Sequence, residues 1–150
     1  MNEEISNFLR KQARERFLRY VRINTQSDSA SKMHPSSEGQ WVLGRLLREE
    51  LIELGLSDVE LDAHCYGYAS LPASTDFIGP AITFCSHLDT SPSESGADVK
   101  PMIIKDYDGG DIQFPGSAKI RLTAVESPEL LQFIGETLIT SDGRTLLGAD

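Results

Sequence analysis

The segment AITFCS (residues 81–86) constrains the fold of this chain most, because it is an uncharged, largely apolar run that suits a buried strand. His87 and Asp89 follow it directly, two positions apart. In open α/β sheets, ligands bind at the carboxyl ends of the central strands. The segment therefore predicts a buried strand that delivers an imidazole and a carboxylate to a candidate site.

Two helical patterns precede this predicted strand. The second is predicted over residues 37–54, because SEGQ (37–40) has capping-box spacing and Gly55 is placed to end the helix. We expect Trp41 of this helix to pack into the core. The first pattern predicts an amphipathic helix with a solvated face of Arg and Lys. Its apolar positions are Ile5, Phe8, Leu9, Ala13, Phe17, Tyr20 and Val21.

The other segments alternate strands, turns and one short helix. Short strands are predicted in DVELD (58–62) and YGYASLP (66–72), and mostly loop and short edge strands from 90 to 115. SPELLQFIG (127–135) has the N-cap serine, first-turn proline and terminal glycine of a short helix. TLITSDGRTLLGAD (137–150) predicts a hairpin with Asp-Gly at its tip. Helices interspersed with strands predict an α/β layered fold.

Length and charge limit the possible functions. A chain of 150 residues can bury about two-thirds of its unfolded surface, which favours a single domain. The net charge of −9 disfavours a nucleic-acid partner. The N-terminal sequence lacks the apolar segment of a signal peptide and no long apolar run follows, so we expect a cytoplasmic protein without a membrane span. Cys65 and Cys85 lack CxxC spacing and are expected to be buried or half-buried.

The His-x-Asp pair has two interpretations on spacing alone. A metal-bound imidazole usually donates its second ring N–H to a carboxylate, and Asp89 is near enough in sequence to His87 to accept that hydrogen bond. The alternative is a hydrogen-bonded loop histidine without a ligand.

Other polar residues are expected to be structural. His34 and His64 are interpreted as solvated or capping histidines, and Glu38 as a first-turn residue that the helix dipole favours. The acidic cluster in YDGGDI lacks the loop pattern of a calcium site and is interpreted as a turn; its residues are Asp106, Asp108 and Asp111.

Several stretches together resemble one family. They lie in the same order along essentially the whole chain: FLRYVRINTQS, SSEGQW, ASLPAS, FCSHLDTSP, YDGGDI and ETLITSDGRTLLGAD. The chain is similar to the N-terminal part of the peptidase T family, tripeptide aminopeptidases within the larger group of cocatalytic di-zinc exopeptidases. The resemblance implies the layered αβα catalytic domain of these enzymes and a small-peptide substrate, with a possible homodimer in the complete enzyme.

The resemblance also implies roles for individual residues. His87 would ligate one of two zinc ions, Asp89 would support the ligand shell as a catalytic residue, and Asp150 would bridge both metals. A shared carboxylate neutralises and spaces two divalent cations that lie about 3.5–4 Å apart. Metal-activated water would then attack the peptide carbonyl.

The family pattern continues beyond Asp150, which implies that residues 1–150 are only the first part of the catalytic domain. In the family, a second Asp and a Lys-Ala-Gly helix start follow, and later residues supply the general base, the remaining ligands and a lid domain. We therefore expect this chain alone to be inactive. Two alternatives stay open: an inert truncated gene product, and a non-catalytic binding module of the same fold.

Overall fold

A computed structural model describes residues 2–76 and 78–148 of the chain. Within these residues the elements lie in two compact units, formed by residues 25–92 and by residues 2–24 with 93–148. The helices and strands, in chain order, are α1 (Glu3–Tyr20), α2 (Glu38–Glu53), β1 (Ser57–Leu61), β2 (Gly67–Ser70), β3 (Met102–Ile104), β4 (Ile112–Phe114), β5 (Ser117–Leu122), a 3₁₀ helix (Pro128–Phe133) and β6 (Leu138–Thr140).

The unit of residues 25–92 is built on helix α2 and an antiparallel hairpin of β1 and β2. Helix α2 approaches the hairpin at Gly44, where an added Cβ would lie 2.9 Å from Cys65 Sγ and 3.2 Å from Leu61 Cδ1. Leu43 and Cys65 are buried in this unit, and burial raises the pKa of the Cys65 thiol. The small residue at position 44 therefore lets the helix and the hairpin share a core.

Helix α2 ends as the sequence predicts. Gly55 adopts a left-handed conformation with φ of +79°, and its N–H donates to Ile52 O. The N–H of Leu56 donates to Leu51 O at 3.1 Å, which completes a Schellman motif. The prediction of a helix ending before Gly55 is confirmed.

The start of α2 differs from the predicted capping box. Ser37 is the N-cap residue, but its hydroxyl makes no capping hydrogen bond. The Gln40 side chain donates its amide hydrogens to Thr25 and Ser36 instead. The predicted capping box is therefore wrong at Ser37, and the Gln40 side chain joins the helix to Thr25 instead.

The unit of residues 2–24 and 93–148 has two small antiparallel sheets, β3 with β6 and β4 with β5. Its core is formed by Tyr107, Ile112 and Leu130, and the half-buried Ile104, Phe114, Leu122 and Leu138 pack against it. Helix α1 spans nearly the predicted residues, but the structure describes no buried side chain on it, and its apolar Phe8 is exposed.

The predicted buried strand at 81–86 is wrong in this structure. These residues adopt no strand, and the side chains of Ile82 and Phe84 are 82% and 93% exposed. Cys85, expected to be at least half-buried, is exposed with them. A strand needs a neighbouring backbone to pair with, and in the described sheets β1 and β2 pair only with each other.

The hairpin predicted over residues 137–150 is also wrong in its described part, residues 137–148. Strand β6 pairs with β3, in the register Ile103 to Ile139, so its partner comes from a distant part of the sequence. Asp142 O accepts a hydrogen bond from Gly116 N at 2.8 Å. The hydrogen-bonded Arg144 side chain holds the pKa of the Asp142 carboxyl below its usual value.

A hairpin that the sequence analysis missed lies at β4 and β5, where Pro115 and Gly116 form the turn.

The predicted fold class is therefore confirmed only in general terms. The described residues combine α-helices with small antiparallel sheets, which is compatible with the α/β class. The layered αβα arrangement stays a prediction. Among the described residues, no helix is both long and apolar enough to cross a membrane.

Gly143 provides a test of packing in the second unit. Its φ is +87°, and an added Cβ would lie 2.5 Å from Phe114 Cβ. We expect Gly143→Ala to lower the free energy of unfolding by about 2–4 kcal/mol, because backbone strain and overpacking add. Urea denaturation measures this loss.

Gly135 is the matched control, since its φ is +85° but no atom lies within 4 Å of its added Cβ. Gly135→Ala should cost about 1 kcal/mol from backbone strain alone. Equal losses from the two substitutions would contradict the described contact with Phe114.

Candidate functional site

The candidate site lies on an irregular segment that is fixed to the rest of its unit at Thr90. Thr90 N donates to Thr25 O at 3.2 Å, and Thr90 O accepts from Ser27 N at 3.0 Å. The Ser27 hydroxyl donates to the same carbonyl oxygen at 3.2 Å. Gln26 and Thr90 thus form an isolated parallel bridge. This bridge fixes the chain immediately after His87 and Asp89.

The imidazole of His87 contacts Asp89 through both main chain and side chain. Its Nδ1 lies 2.8 Å from Asp89 O and 3.1 Å from Asp89 Oδ1. A carbonyl oxygen and an ionised carboxylate only accept hydrogen bonds, so Nδ1 must carry the hydrogen. The lone pair of a neutral His87 is therefore on Nε2. The His87 side chain is 57% exposed, so solvent reaches its imidazole ring.

Gln40 links helix α2 to this arrangement. Its side-chain Nε2 donates to Thr25 O at 3.3 Å and to Ser36 Oγ at 3.1 Å. Gln40 and Thr25 are buried, with 6% and 3% of their surface exposed. The Thr25 carbonyl therefore accepts one hydrogen bond from the helix and another from Thr90. Sequence analysis missed this role of Gln40, although the EGQW stretch that contains it was among the family-like motifs.

The other two histidines lie close together at the hairpin tip of the same unit. The ring of His34 lies 6.2 Å from that of His64 and 5.3 Å from that of Tyr66, between centroids. Asp62 Oδ1 accepts from the backbone N–H groups of Tyr66 and His64. These hydrogen bonds, that from Tyr66 first, hold the pKa of the Asp62 carboxyl below its usual value. The two imidazoles thus belong to a tilted ring cluster at a turn.

Glu38 and Trp41 lie on the same helix as Gln40. The Glu38 carboxylate pairs with Arg45 Nη2 at 2.6 Å on the surface, and the Arg45 guanidinium also lies 5.7 Å above the Trp41 ring. Trp41 is half-buried, and its ring lies under this guanidinium. Its packing into the core stays a prediction.

The acidic stretch YDGGDI forms a turn, as predicted. Asp108 Oδ1 accepts from Gly110 N at 2.9 Å, and the Tyr107 hydroxyl donates to Gly110 O at 2.8 Å. Asp111 pairs with Arg121 at 3.7 Å. These contacts give the segment a structural role within its unit.

Of the three predicted site residues, the structure brings His87 and Asp89 together. Asp150 lies outside the described residues. Between residues 2 and 148, Phe77 excepted, no group of three or more His, Cys, Asp or Glu side chains is placed to hold a metal ion.

Comparison with known proteins relates the chain to peptidase T. It is 51% identical over 136 residues to peptidase T of Geobacillus kaustophilus and 54% identical over 136 residues to that of Caldanaerobacter subterraneus subsp. tengcongensis. It is also 49% identical over 138 residues to peptidase T of Alkaliphilus oremlandii. Each match covers 91% of this chain and 33–34% of the relative, so the chain spans about a third of their length. No family model matches the chain.

The role of Gln40 can be tested with Gln40→Met, which keeps the side-chain length and removes both donated hydrogen bonds. We expect the free energy of unfolding to fall by about 1–2 kcal/mol. The amide hydrogens of Ser27 and Thr90 should exchange at least about tenfold faster, since their bridge loses its support from the helix. Hydrogen exchange followed by NMR measures this.

Gln132→Met, at an exposed glutamine of the 3₁₀ helix, is the control. It should leave exchange at Ser27 and Thr90 unchanged. Unaltered exchange at these two amides in Gln40→Met would show that Gln40 does not support the bridge.

Proposed function

Since this chain is a relative of peptidase T over nine-tenths of its length, we propose that it forms the first part of the catalytic domain of a zinc-dependent tripeptide aminopeptidase. The observation that carries the proposal is the oriented imidazole of His87. It lies within the family-like stretch SHLDTSP, and both contacts to Asp89 use Nδ1, so the lone pair of the neutral ring is on Nε2.

The chemistry of the described donors fits a zinc ligand. Zinc in proteins takes neutral imidazole nitrogens, and the remaining ring N–H of such a histidine usually donates to a carboxylate or a carbonyl oxygen. His87 has both kinds of acceptor on Asp89. The assignment of Asp150 as the carboxylate shared by two zinc ions rests on the family resemblance alone.

Asp89 has a positioning role in this proposal. Its main-chain oxygen and carboxylate hold the proton on Nδ1, and the negative charge increases the basicity of Nε2. The bridge at Thr90 limits rotation of the segment, so His87 needs less ordering when it binds a metal.

When bound, the zinc pair supplies Lewis acidity, which polarises the peptide carbonyl and makes water a stronger nucleophile. The residues described here would hold and orient one ligand. We propose that the general base, the other ligands and the contacts to the peptide amine come from the part of the relatives that this chain does not cover. The substrates would be tripeptides in the cytoplasm, and the complete protein would act as a homodimer.

The first prediction concerns a protein that joins this segment to the remaining two-thirds of a peptidase T. There, His87→Ala should lower kcat/KM for a tripeptide at least about 10³-fold, because metal ligation is worth several kcal/mol in the transition state. Release of the free N-terminal amino acid measures the rate, and metal analysis of the purified protein should show a lower zinc content.

His64→Ala is the matched control, since it also removes an imidazole but lies in the ring cluster at the hairpin tip. It should change kcat/KM by less than about threefold. Full activity in His87→Ala would exclude His87 as a ligand, whereas an equal loss in His64→Ala would indicate damage to the fold.

The second prediction concerns the 150-residue chain alone. We expect no tripeptide hydrolysis above the rate of zinc alone, because a catalytic zinc ion usually needs three protein ligands and this chain would supply only His87 and Asp150. Amino-acid release with and without added zinc tests this. Turnover that disappears in His87→Ala would show that this chain provides a complete site by itself.

A further inference from the structure

Helix α1 carries much of the positive charge of an acidic chain. Residues 10–22 include six of the fourteen basic residues and one acidic residue, although the whole chain has a net charge of −9. The basic residues are Arg10, Lys11, Arg14, Arg16, Arg19 and Arg22. The helix is therefore a local site of attraction for anions.

One face of this helix lines a cleft of about 450 Å³. The helix contributes Asn7, Arg10, Lys11 and Arg14, whose spacing of three, four and seven residues places them on one face. The other lining residues are Glu136 and Thr137, just before β6, and Ile139 within β6. The volume lies within the range of about 300–1,000 Å³ that is usual for small-ligand pockets.

Two of the lining cations, Arg10 and Arg14, are exposed and have no partner among the described residues. Across residues 2–76 and 78–148, the guanidinium groups of Arg10 and Arg14 make no hydrogen bond or ion pair, whereas Lys11 pairs with Glu15 at 4.0 Å. Arg10 and Arg14 are four residues apart on a helix, so their like charges repel each other. An anion in the cleft would relieve this repulsion and satisfy the donors.

We propose that this cleft binds a small phosphate-type oxyanion with at least two negative charges. Arginine donors form a planar fork that matches phosphate oxygens, and Arg10 and Arg14 are about 6 Å apart along the helix axis. A diphosphate presents oxygens on two neighbouring phosphorus atoms and can meet both groups at once. The Asn7 amide and the Thr137 hydroxyl also line the cleft and add neutral donors.

Calorimetric titration of the chain with pyrophosphate at low ionic strength tests the proposal. We expect one saturable site, and Arg10→Gln combined with Arg14→Gln should weaken binding at least about tenfold. Lys119→Gln combined with Arg121→Gln is the matched control, because it removes two positive charges from β5, outside the cleft lining. The control should retain affinity within about twofold, and circular dichroism should show that both double variants keep their helical content.

A second variant changes the site in the opposite direction. Glu136→Gln removes the one carboxylate among the lining residues, so it should tighten pyrophosphate binding several-fold, an effect that a damaged fold would not produce. Citrate tests the chemical class and should bind more weakly than pyrophosphate. The proposal is wrong if pyrophosphate shows no saturable binding, if both double variants lose affinity equally, if Glu136→Gln weakens binding, or if citrate binds as tightly.

Discussion

The arrangement of the candidate site depends on the carbonyl oxygen of Thr25. It accepts one hydrogen bond from the buried Gln40 amide on helix α2 and another from the backbone of Thr90. Thr25 itself is almost fully buried, and an unsatisfied carbonyl there would cost about 1–3 kcal/mol. This carbonyl therefore joins a regular, well-capped helix to the irregular segment that carries His87. Apart from the isolated bridge at Thr90, the segment around His87 adopts no helix or strand.

The His87–Asp89 contact shows how a short loop can fix the chemistry of an imidazole. The acceptors of its Nδ1 hydrogen are the carbonyl and the carboxylate of one residue, Asp89, two positions along the chain. This local geometry places the lone pair of a neutral ring on Nε2. A metal-bound histidine uses its second N–H in the same way, which is why the proposed function assigns His87 as a ligand. The ring cluster of His34, His64 and Tyr66 offers no comparable orientation, because its contacts are between rings.

Predictions from the sequence succeeded where the interactions are local. Helix α2 and its Schellman ending at Gly55 depend on residues within a few positions of one another, so the pattern was sufficient. Predictions failed where a distant partner decides the outcome. The segment 81–86 has the composition of a buried strand but adopts none, and β6 pairs with β3 instead of folding back on itself. Gln40 has capping-box spacing, yet its amide is bonded to Thr25.

The sequence by itself determined the two α-helices, the turn at YDGGDI, the proximity of His87 to Asp89 and the relationship to peptidase T. These follow from neighbouring residues and from motifs in a fixed order. The tertiary structure alone decided the acceptor of Gln40, the anchoring of Thr90, the partner of β6 and the cleft beside helix α1. Each of these joins residues separated by long loops, and closing such a loop costs entropy that only a specific contact offsets. Several contacts compete to close each loop. Packing in three dimensions decides which contact forms, and the spacing of residues along the chain does not specify that packing.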